Sequence, residues 1–220
     1  MLEQKYVEKN KFGQIVVEGT YYKKKKHGEW IRYGRLGQIM EIKTYAAGVL
    51  NGRYQFYYEN GTVHEEGFYK NAILNGRQII YYENGNIFKE GILKESKISG
   101  EWIFYYQNGN VDEKGVLDGD IKQGFWRKYF DDGILMQEGT YTDNKKTGEW
   151  ITYWSNGEIR NKGTYDENQN QIKEWFYHRE DGTVQEVKNF SKDEEIYEDV
   201  DKEFHEGMDE EFDEGVDEIS

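Results

Sequence analysis

A glycine repeat with a period of 24 residues limits the possible folds of this chain more than any other sequence feature. Three glycine series keep this spacing over most of the 220 residues. They are Gly28, Gly52, Gly76, Gly100, Gly124 and Gly148; Gly37, Gly61, Gly85, Gly109, Gly133 and Gly157, followed by Gly182 one residue late; and Gly67, Gly91, Gly115, Gly139 and Gly163, preceded by Gly19 in the same phase. Self-similarity at a fixed short period indicates a repeat protein, in which each unit buries its apolar face against its neighbours.

The unit from Gly100 to Gln123 predicts a β-hairpin. Residues 102–106 (WIFYY) are aromatic or β-branched and favour a strand, and residues 111–117 favour a return strand. Between them stands Asn108-Gly109, a pair typical of a two-residue turn in which both central residues have positive φ. Gly115 in the return strand indicates a bulge or a close approach of backbone. Residues 118–123 form a polar link to the next unit.

These units predict an all-β fold, an elongated antiparallel sheet of about seven tandem 24-residue hairpins with about fourteen strands. We expect the array to occupy residues 1–190. Alternation along the strands places one ring column on one face and a tyrosine column on the other. The first column is Trp30, Tyr54, Gln78, Trp102, Trp126, Trp150 and Trp175; the second is Tyr33, Tyr57, Tyr81, Tyr105, Tyr129 and Tyr153, with His178 at its end; an aliphatic column of Ile39, Val63, Ile87, Val111, Leu135, Ile159 and Val184 lies on the return strands.

Residues 191–220 form an acidic tail that does not follow the repeat. The tail has 15 acidic and 2 basic residues, a balance of -13, whereas the net charge of the whole chain is -14. The body is therefore nearly neutral. Apolar residues recur at every fourth position of the tail, at Ile196, Val200, Phe204, Met208, Phe212 and Val216. This pattern suits either a disordered solubilising tail or a short helix that folds against a basic partner or the end of the sheet.

Composition and spacing argue against catalytic, metal and cofactor sites. The chain has no Cys, and its four His are not at ligand spacing. The few serines lie in predicted loops or the tail. The glycines recur at fixed positions of the hairpins and do not form a phosphate-binding loop. The Lys23–Lys26 cluster is interpreted as a solvated loop. We therefore expect a protein that is not an enzyme and needs no cofactor.

The same composition bears on location and on non-protein partners. Overall acidity disfavours nucleic acid and anionic membranes as partners. No apolar stretch has the length of a signal peptide or of a membrane span, so we expect a cytoplasmic protein.

The motif Gly-Glu-Trp-Ile-x-Tyr-x-x-Asn-Gly followed by Gly-x-Tyr or Gly-x-Leu, as at 100–117 and 148–165, resembles the MORN repeat variant of bacteria. The resemblance covers about residues 10–190 and implies an antiparallel hairpin array. Bacterial chains of this type are often grouped as YwqK-type antitoxin or immunity proteins. The resemblance therefore implies a protein partner, a basic toxin domain that the chain neutralises by direct binding, as a monomer or a partner-bound heterodimer.

Two other functions remain open at this level: a glycan- or wall-binding module, because aromatic hairpin repeats also resemble the choline-binding type, and a membrane-associated scaffold. For a protein partner, large aromatic or apolar side chains and tail carboxylates are the candidate contacts. They are Trp154, Tyr197, Phe204, Met208, Glu210, Glu211 and Phe212.

Overall fold

A computed structural model describes residues 2–190 of the chain, and in this part of the chain it contains seventeen strands and no helix. The strands are β1 (Gln4–Lys9), β2 (Ile15–Tyr22), β3 (Lys25–Tyr33), β4 (Ile39–Ala46), β5 (Val49–Tyr57), β6 (Val63–Lys70), β7 (Ile73–Leu74), β8 (Gly76–Tyr81), β9 (Ile87–Lys94), β10 (Lys97–Tyr105), β11 (Val111–Asp118), β12 (Ile121–Tyr129), β13 (Leu135–Thr142), β14 (Lys145–Tyr153), β15 (Ile159–Tyr165), β16 (Gln171–His178) and β17 (Val184–Asn189).

The strands form one open antiparallel sheet in which each strand pairs with the next along the chain. Strands β7 and β8 are two parts of one strand position beside β6, interrupted at Asn75. Sixteen strand positions at about 4.8 Å each make the sheet roughly 70 Å long. The all-β hairpin array is therefore confirmed.

The predicted number of strands was too low. The structure has eight hairpins, because β1 pairs with β2 ahead of the first complete 24-residue unit. Sequence periodicity missed β1, since its residues (QKYVEK) contain neither a glycine nor a tryptophan, whereas every other opening strand has at least one of the two.

The Asn-Gly turns inside the units are three-residue turns, so the predicted two-residue geometry is wrong. At Asn108-Gly109 the amide of Gly109 donates to Tyr106 O at 2.9 Å, and that of Tyr106 donates to Asn110 O at 2.8 Å. Gly109 has φ +94°, whereas Asn108 does not have positive φ. This is a type I turn followed by a left-handed glycine. Asn is suited to it because its Oδ1 accepts from the amide of Asn110 at 2.9 Å.

The two-residue turns with two positive φ angles occur instead in several links between units. Lys23 and Lys24 have φ of 51° and 61°, and Asp143 and Asn144 have φ of 51° and 65°. The Lys23–Lys26 cluster therefore lies in a link between units, as predicted, with Lys23 and Lys24 in a tight turn and Lys25 and Lys26 at the start of β3. Lys26 Nζ lies 4.1 Å from the centre of the Trp30 ring.

Most of the core lies on one face of the sheet, called here the tryptophan face. Its six large rings are 1–5% exposed, although only one layer of sheet is present. They are Trp30, Tyr54, Trp102, Trp126, Trp150 and Trp175. Each Trp ring lies flat on a glycine of the preceding strand: a Cβ on Gly115 would be 2.3 Å from the Trp126 ring. An irregularity was expected at Gly115, and the register does shift between Lys114 and Val116, but the extra residues belong to the facing strand β12 and the group that approaches Gly115 is the Trp126 ring.

The tryptophan column changes locally at β4–β8. Strand β4 carries Lys43 in the slot where most return strands have glycine, and Lys43 is the cross-strand partner of Tyr54. The Tyr54 ring instead lies over Gly67 of the following strand, 2.9 Å from where a Cβ would stand. The Tyr54 ring thus takes the place over Gly67 that a ring at position 78 would fill in the other units. Position 78 is Gln, and its Nε2 donates to Glu65 Oε1 at 2.7 Å.

Candidate protein-binding face

The opposite face, called here the tyrosine face, carries a line of residues in matching positions of successive units. Each unit supplies one residue from its opening strand and one from its return strand, and the two are direct cross-strand partners. The pairs are Glu29–Thr44, Arg53–Phe68, Arg77–Ile92, Glu101–Val116, Phe125–Thr140 and Glu149–Thr164. Because side chains two residues apart point to the same face, these twelve form one continuous row across the sheet, called here the central row.

The middle of the central row has four exposed apolar side chains, whereas its ends are polar. Phe68 is 50% exposed, Ile92 48%, Val116 42% and Phe125 49%. The return-strand slot holds Thr at positions 44, 140 and 164, so the fold itself accepts a polar residue there. Four exposed apolar side chains therefore lie close together on this face, with Arg77 and Glu101 between them, and three of the four are in slots that the fold can fill with Thr. Such a group makes this part of the face a candidate contact surface.

Arginines lie beside these apolar side chains and are held in place by ion pairs. Arg53 pairs with Glu66, and Arg77 Nε donates to Glu90 Oε2 at 3.1 Å. A third pair joins Arg127 Nε to Glu138 Oε2 at 3.0 Å. The guanidinium groups remain half exposed, with 56% of the Arg53 side chain and 59% of the Arg77 side chain accessible. Such arginines, fixed but accessible, are suited to hydrogen-bond a partner beside apolar contacts.

Tyrosines of the following unit complete these clusters. Tyr81 Oη donates to Glu66 Oε1 at 2.9 Å, and Tyr105 Oη donates to Glu90 Oε1 at 2.7 Å. Burial and the hydrogen bond to the carboxylate raise the pKa of Tyr81 and of Tyr105 to about 12. Burial alone would raise the pKa of Glu66, but hydrogen bonds from Arg53, Tyr81 and Gln55 outweigh it and lower that pKa.

Glu90 behaves in the same way. Burial alone would raise its pKa, but hydrogen bonds from Tyr105 and Arg77 outweigh that effect and lower the pKa. The phenols therefore act as fixed donors and the carboxylates as fixed acceptors at neutral pH.

Two shallow depressions on the tyrosine face lie at equivalent places in consecutive units. One lies beside Phe68 and the other beside Ile92, and each has an Arg–Glu pair on its rim. They are two strands apart, which corresponds to about 9.6 Å. Neither is a closed cavity, so neither has the enclosed shape that is typical of a small-molecule pocket.

Of the predicted contact residues, the structure describes only Trp154. Its Nε1 donates to the carbonyl of His178 in the next unit at 3.1 Å, and the Arg160 guanidinium lies 4.6 Å from the centre of its ring. Tyr58, Tyr82 and Tyr106 make the equivalent bond to the next unit in their own turns. Trp154 thus joins two units, and its contact with a partner stays a prediction. The other candidates lie outside the described residues: Tyr197, Phe204, Met208, Glu210, Glu211 and Phe212.

Sequence reasoning missed the central row. Comparing the 24-residue units slot by slot would have detected it, since Phe68, Ile92 and Val116 stand in three adjacent units where other units have Thr.

Other kinds of site receive no support in residues 2–190. In that range no three His, Cys, Asp or Glu side chains are grouped so as to hold a metal ion. The described part of the chain has no helix of the length and apolarity needed to cross a bilayer.

These features define a class: an open antiparallel sheet of tandem hairpins with a buried tryptophan face and an exposed, partly apolar tyrosine face. Five of its units match the family model described as "MORN repeat variant", at residues 50–71, 74–95, 98–116, 122–143 and 146–167. The chain therefore carries five repeats of the MORN repeat variant family, a type of repeat that serves as a binding module.

Other comparisons add little. No curated protein matches the chain. Among solved structures, the crystal structure of TcdB2-TccC3 is similar to it at 10% identity and a TM-score of 0.20. That match covers 86% of this chain but 14% of the other, and with so low a TM-score it bears on neither fold nor function.

Proposed function

We propose that this chain is a non-catalytic binding protein that holds a protein partner on the central row of its tyrosine face. The observation that carries the proposal is the exposure of Phe68, Ile92, Val116 and Phe125 in the middle of that row. Binding energy in protein interfaces concentrates in such aromatic and aliphatic anchors, with arginine beside them. Arg53 and Arg77 have this position, and their ion pairs reduce the entropy lost when a partner binds.

The partner is a toxin, and the chain neutralises it as an immunity or antitoxin protein. This finer proposal is supported by the resemblance of the repeats to YwqK-type proteins and by the balance of -13 in residues 191–220. An acidic segment attracts a basic surface, such as the cleft of an enzyme that acts on nucleic acid. The apolar side chains of the central row would then hold the partner, and the acidic residues of 191–220 would speed its association.

A glycan-binding function has less support. Stacking on a sugar needs accessible rings, but the rings of the tryptophan face are 1–5% exposed. The accessible aromatic side chains of the central row, Phe68 and Phe125, lack the hydrogen-bonding groups that a sugar-binding site uses.

A triple substitution tests the binding face. The variant Phe68→Thr, Ile92→Thr, Val116→Thr should keep the stability of the parent, because Thr fills the same slot at 44, 140 and 164. Its affinity for the partner should fall roughly a hundredfold or more, since each anchor contributes on the order of 1–2 kcal/mol. Ile121→Thr is the matched control: Ile121 is 42% exposed but lies at the start of β12, outside the row, so binding should be unchanged.

The measurement begins with the protein that the wild-type chain captures from its native cells. The captured protein is identified, purified and assayed, and both its affinity for the chain and its own activity are titrated with each variant. Equal affinity for the wild type and the triple variant would rule out the central row. If the chain binds the captured protein tightly but does not inhibit its activity, the chain is a binding module and the antitoxin role is rejected. Neutralising Glu210 and Glu211 should lower the association rate and its salt dependence, if the acidic segment steers the encounter.

A further inference from the structure

We propose that two copies of this chain join edge to edge, with β17 of one copy pairing antiparallel with β1 of the next. Both are outermost strands of the described sheet, each paired on one side with a neighbour from residues 2–190. This contact is distinct from the central row and does not depend on the proposed function.

The first argument is that β17 repeats the sequence of an interior strand. Strand β4 begins Ile39-Met-Glu-Ile-Lys-Thr44, and β17 is Val184-Gln-Glu-Val-Lys-Asn189. The two agree in class at five of six positions, as aliphatic, Glu, aliphatic, Lys and small polar, and differ at the second, which is Met in β4 and Gln in β17. Both have the same internal ion pair, at 3.2 Å from Lys43 to Glu41 and at 3.6 Å from Lys188 to Glu186. Because β4 has strands on both sides, this sequence is compatible with a neighbour on each.

The second argument is that β1 has the residues of a strand that follows β4. In the described units Trp stands where the preceding return strand offers glycine, as with Gly91 and Trp102. The strand before β5 has Lys43 in place of that glycine, and β5 has Tyr54 in the tryptophan slot, preceded by Arg53. Strand β1 likewise has Tyr6 in that slot, preceded by Lys5. Tyr6 also lies on the tryptophan face, with its ring 5.3 Å from that of Trp30.

The third argument is polarity and register. Every neighbouring pair is antiparallel and β7 and β8 share one position, so β17 runs opposite to β1, as a continuing sheet requires. Transferring the β4–β5 register places Lys188 opposite Tyr6, Val187 opposite Val7 and Glu186 opposite Glu8.

The valine pair is the favourable part of this joint. Val7 is 48% exposed and Val187 47% exposed, and both are on the tyrosine face. The joint would cover these two side chains with each other.

The contact is head to tail, so it extends into an open chain of copies and does not close into a dimer. It is also weak, because one strand pair buries little surface and Glu186 meets Glu8 across it. Lysines on an edge strand usually discourage such pairing. Here that effect is limited, since Lys43 occupies the same slot in the interior of the sheet.

Sedimentation velocity of the full chain, from micromolar to millimolar concentration, tests the proposal. We expect a sedimentation coefficient that rises with concentration. Val187→Asp should lower the association constant about tenfold or more, because it places a charge opposite Val7. Glu8→Gln should raise the constant about two- to fivefold by removing the like-charge pair.

A charge-pair experiment makes the test specific to the edges. Val7→Lys and Val187→Asp should each associate poorly alone, but their mixture should associate again. At one joint the introduced ammonium on β1 meets the introduced carboxylate on β17, and at the other the unaltered Val187 meets the unaltered Val7. Val116→Asp, on the central row, is the control and should associate like the wild type. A chain that stays monomeric at every concentration, association that survives Val187→Asp, or a mixture no better than its components would each overturn the proposal.

Discussion

At the scale of single residues, the fold depends on packing each large Trp ring against a glycine, which has no side chain, in the neighbouring strand. The rings of Trp102, Trp126 and Trp150 occupy the space that a Cβ on Gly91, Gly115 or Gly139 would need. The glycine thus allows a bulky ring to be buried in a single-layer sheet. The indole Nε1 of Trp126 and that of Trp150 also donate to strand carbonyls, of Val116 and Thr140 respectively, at 3.1 Å. A ring that is buried and hydrogen-bonded contributes several kcal/mol, in the range lost when core aromatics are truncated.

Gly139→Ala should therefore destabilise the protein far more than a substitution next to it. The new Cβ would stand 2.3 Å from the near atoms of the Trp150 ring, so the ring or the strand must move. We expect a loss of about 2–4 kcal/mol in the free energy of unfolding, at the upper end of overpacking effects. Thr140→Ala is the control, because its side chain is on the other face, and it should cost under about 1 kcal/mol. Urea denaturation measures both. Similar losses for the two variants would contradict the stacking interpretation.

At the scale of strands and turns, consecutive hairpins are joined by bonds between their turns. The Oη groups of Tyr82 and Tyr106 donate to carbonyls one unit ahead at 2.7 Å, and Asn108 Nδ2 donates to Asp131 O at 2.7 Å. The turn between β12 and β13 has Phe130 and Asp132 in these two slots. A phenyl ring has no donor and neither has a carboxylate, so both bonds to the next turn are absent there.

Restoring these donors should stabilise the array. Phe130→Tyr would reach the carbonyl of Tyr153, and Asp132→Asn that of Ser155, by analogy with the preceding units. Each new bond should add about 0.5–1.5 kcal/mol to the free energy of unfolding. The reverse pair, Tyr106→Phe and Asn108→Asp, should lower it by a similar amount. Thermal and urea denaturation of the four single variants checks this. If the restored donors have no effect while the reverse substitutions destabilise, the β12–β13 turn has a geometry of its own.

At the scale of the whole molecule, the sheet is a series of units in which each contacts its neighbours. On the tyrosine face the Arg–Glu–Tyr clusters connect these units: Arg53 pairs with Glu66 of the same unit, and Tyr81 of the next unit donates to that carboxylate. Glu90 and Glu138 repeat the arrangement with Tyr105 and Tyr153. Stability of such an array is approximately a sum of unit and interface contributions, so conditions that weaken every interface act repeatedly along the chain.

Stability should therefore fall on both sides of neutral pH. The pKa values of Glu66 and Glu90 are lowered by folding, so their contribution is complete above the ordinary value of 4.5 and is lost as the pH falls through the lowered values. The pKa values of Tyr81 and Tyr105 are raised to about 12, so their contribution is complete below the ordinary value of 10.0 and is lost as the pH rises from there through about 12.

Urea denaturation of the wild type and of Glu90→Gln across this range measures the effect. The variant keeps a hydrogen-bond acceptor but cannot titrate, so its free energy of unfolding should decrease less between pH 5 and 3 than that of the wild type. It should also be less stable at neutral pH, where it lacks the ion pair with Arg77. An identical acid dependence of the two proteins would show that Glu90 does not couple folding to protons.

The predicted and observed structures agree where the necessary information lies within one 24-residue period of the sequence. Gly115 and Trp126 are eleven residues apart, and the 24-residue spacing repeats them, so sequence alone indicated a hairpin array with a ring column on one face. Strand β1 was missed because its pairing with β2 depends on register and on the packing of Tyr6 against Trp30, and no glycine signals it. The turn at Asn108-Gly109 was predicted with the wrong geometry, because the same dipeptide suits both two-residue and three-residue turns.

The sequence by itself determined the repeat, the all-β class and the faces on which the rings alternate, since these follow from local spacing and the two-residue period of a strand. Only the tertiary structure decided which side chains meet. Phe68, Ile92 and Val116 are each separated by 24 residues, and the cross-strand register is what aligns them with Arg53 and Arg77 in one exposed row. The physical reason is that the register between paired strands depends on contacts between residues far apart in the sequence, and a shift of the register by one residue would move this row to the opposite face.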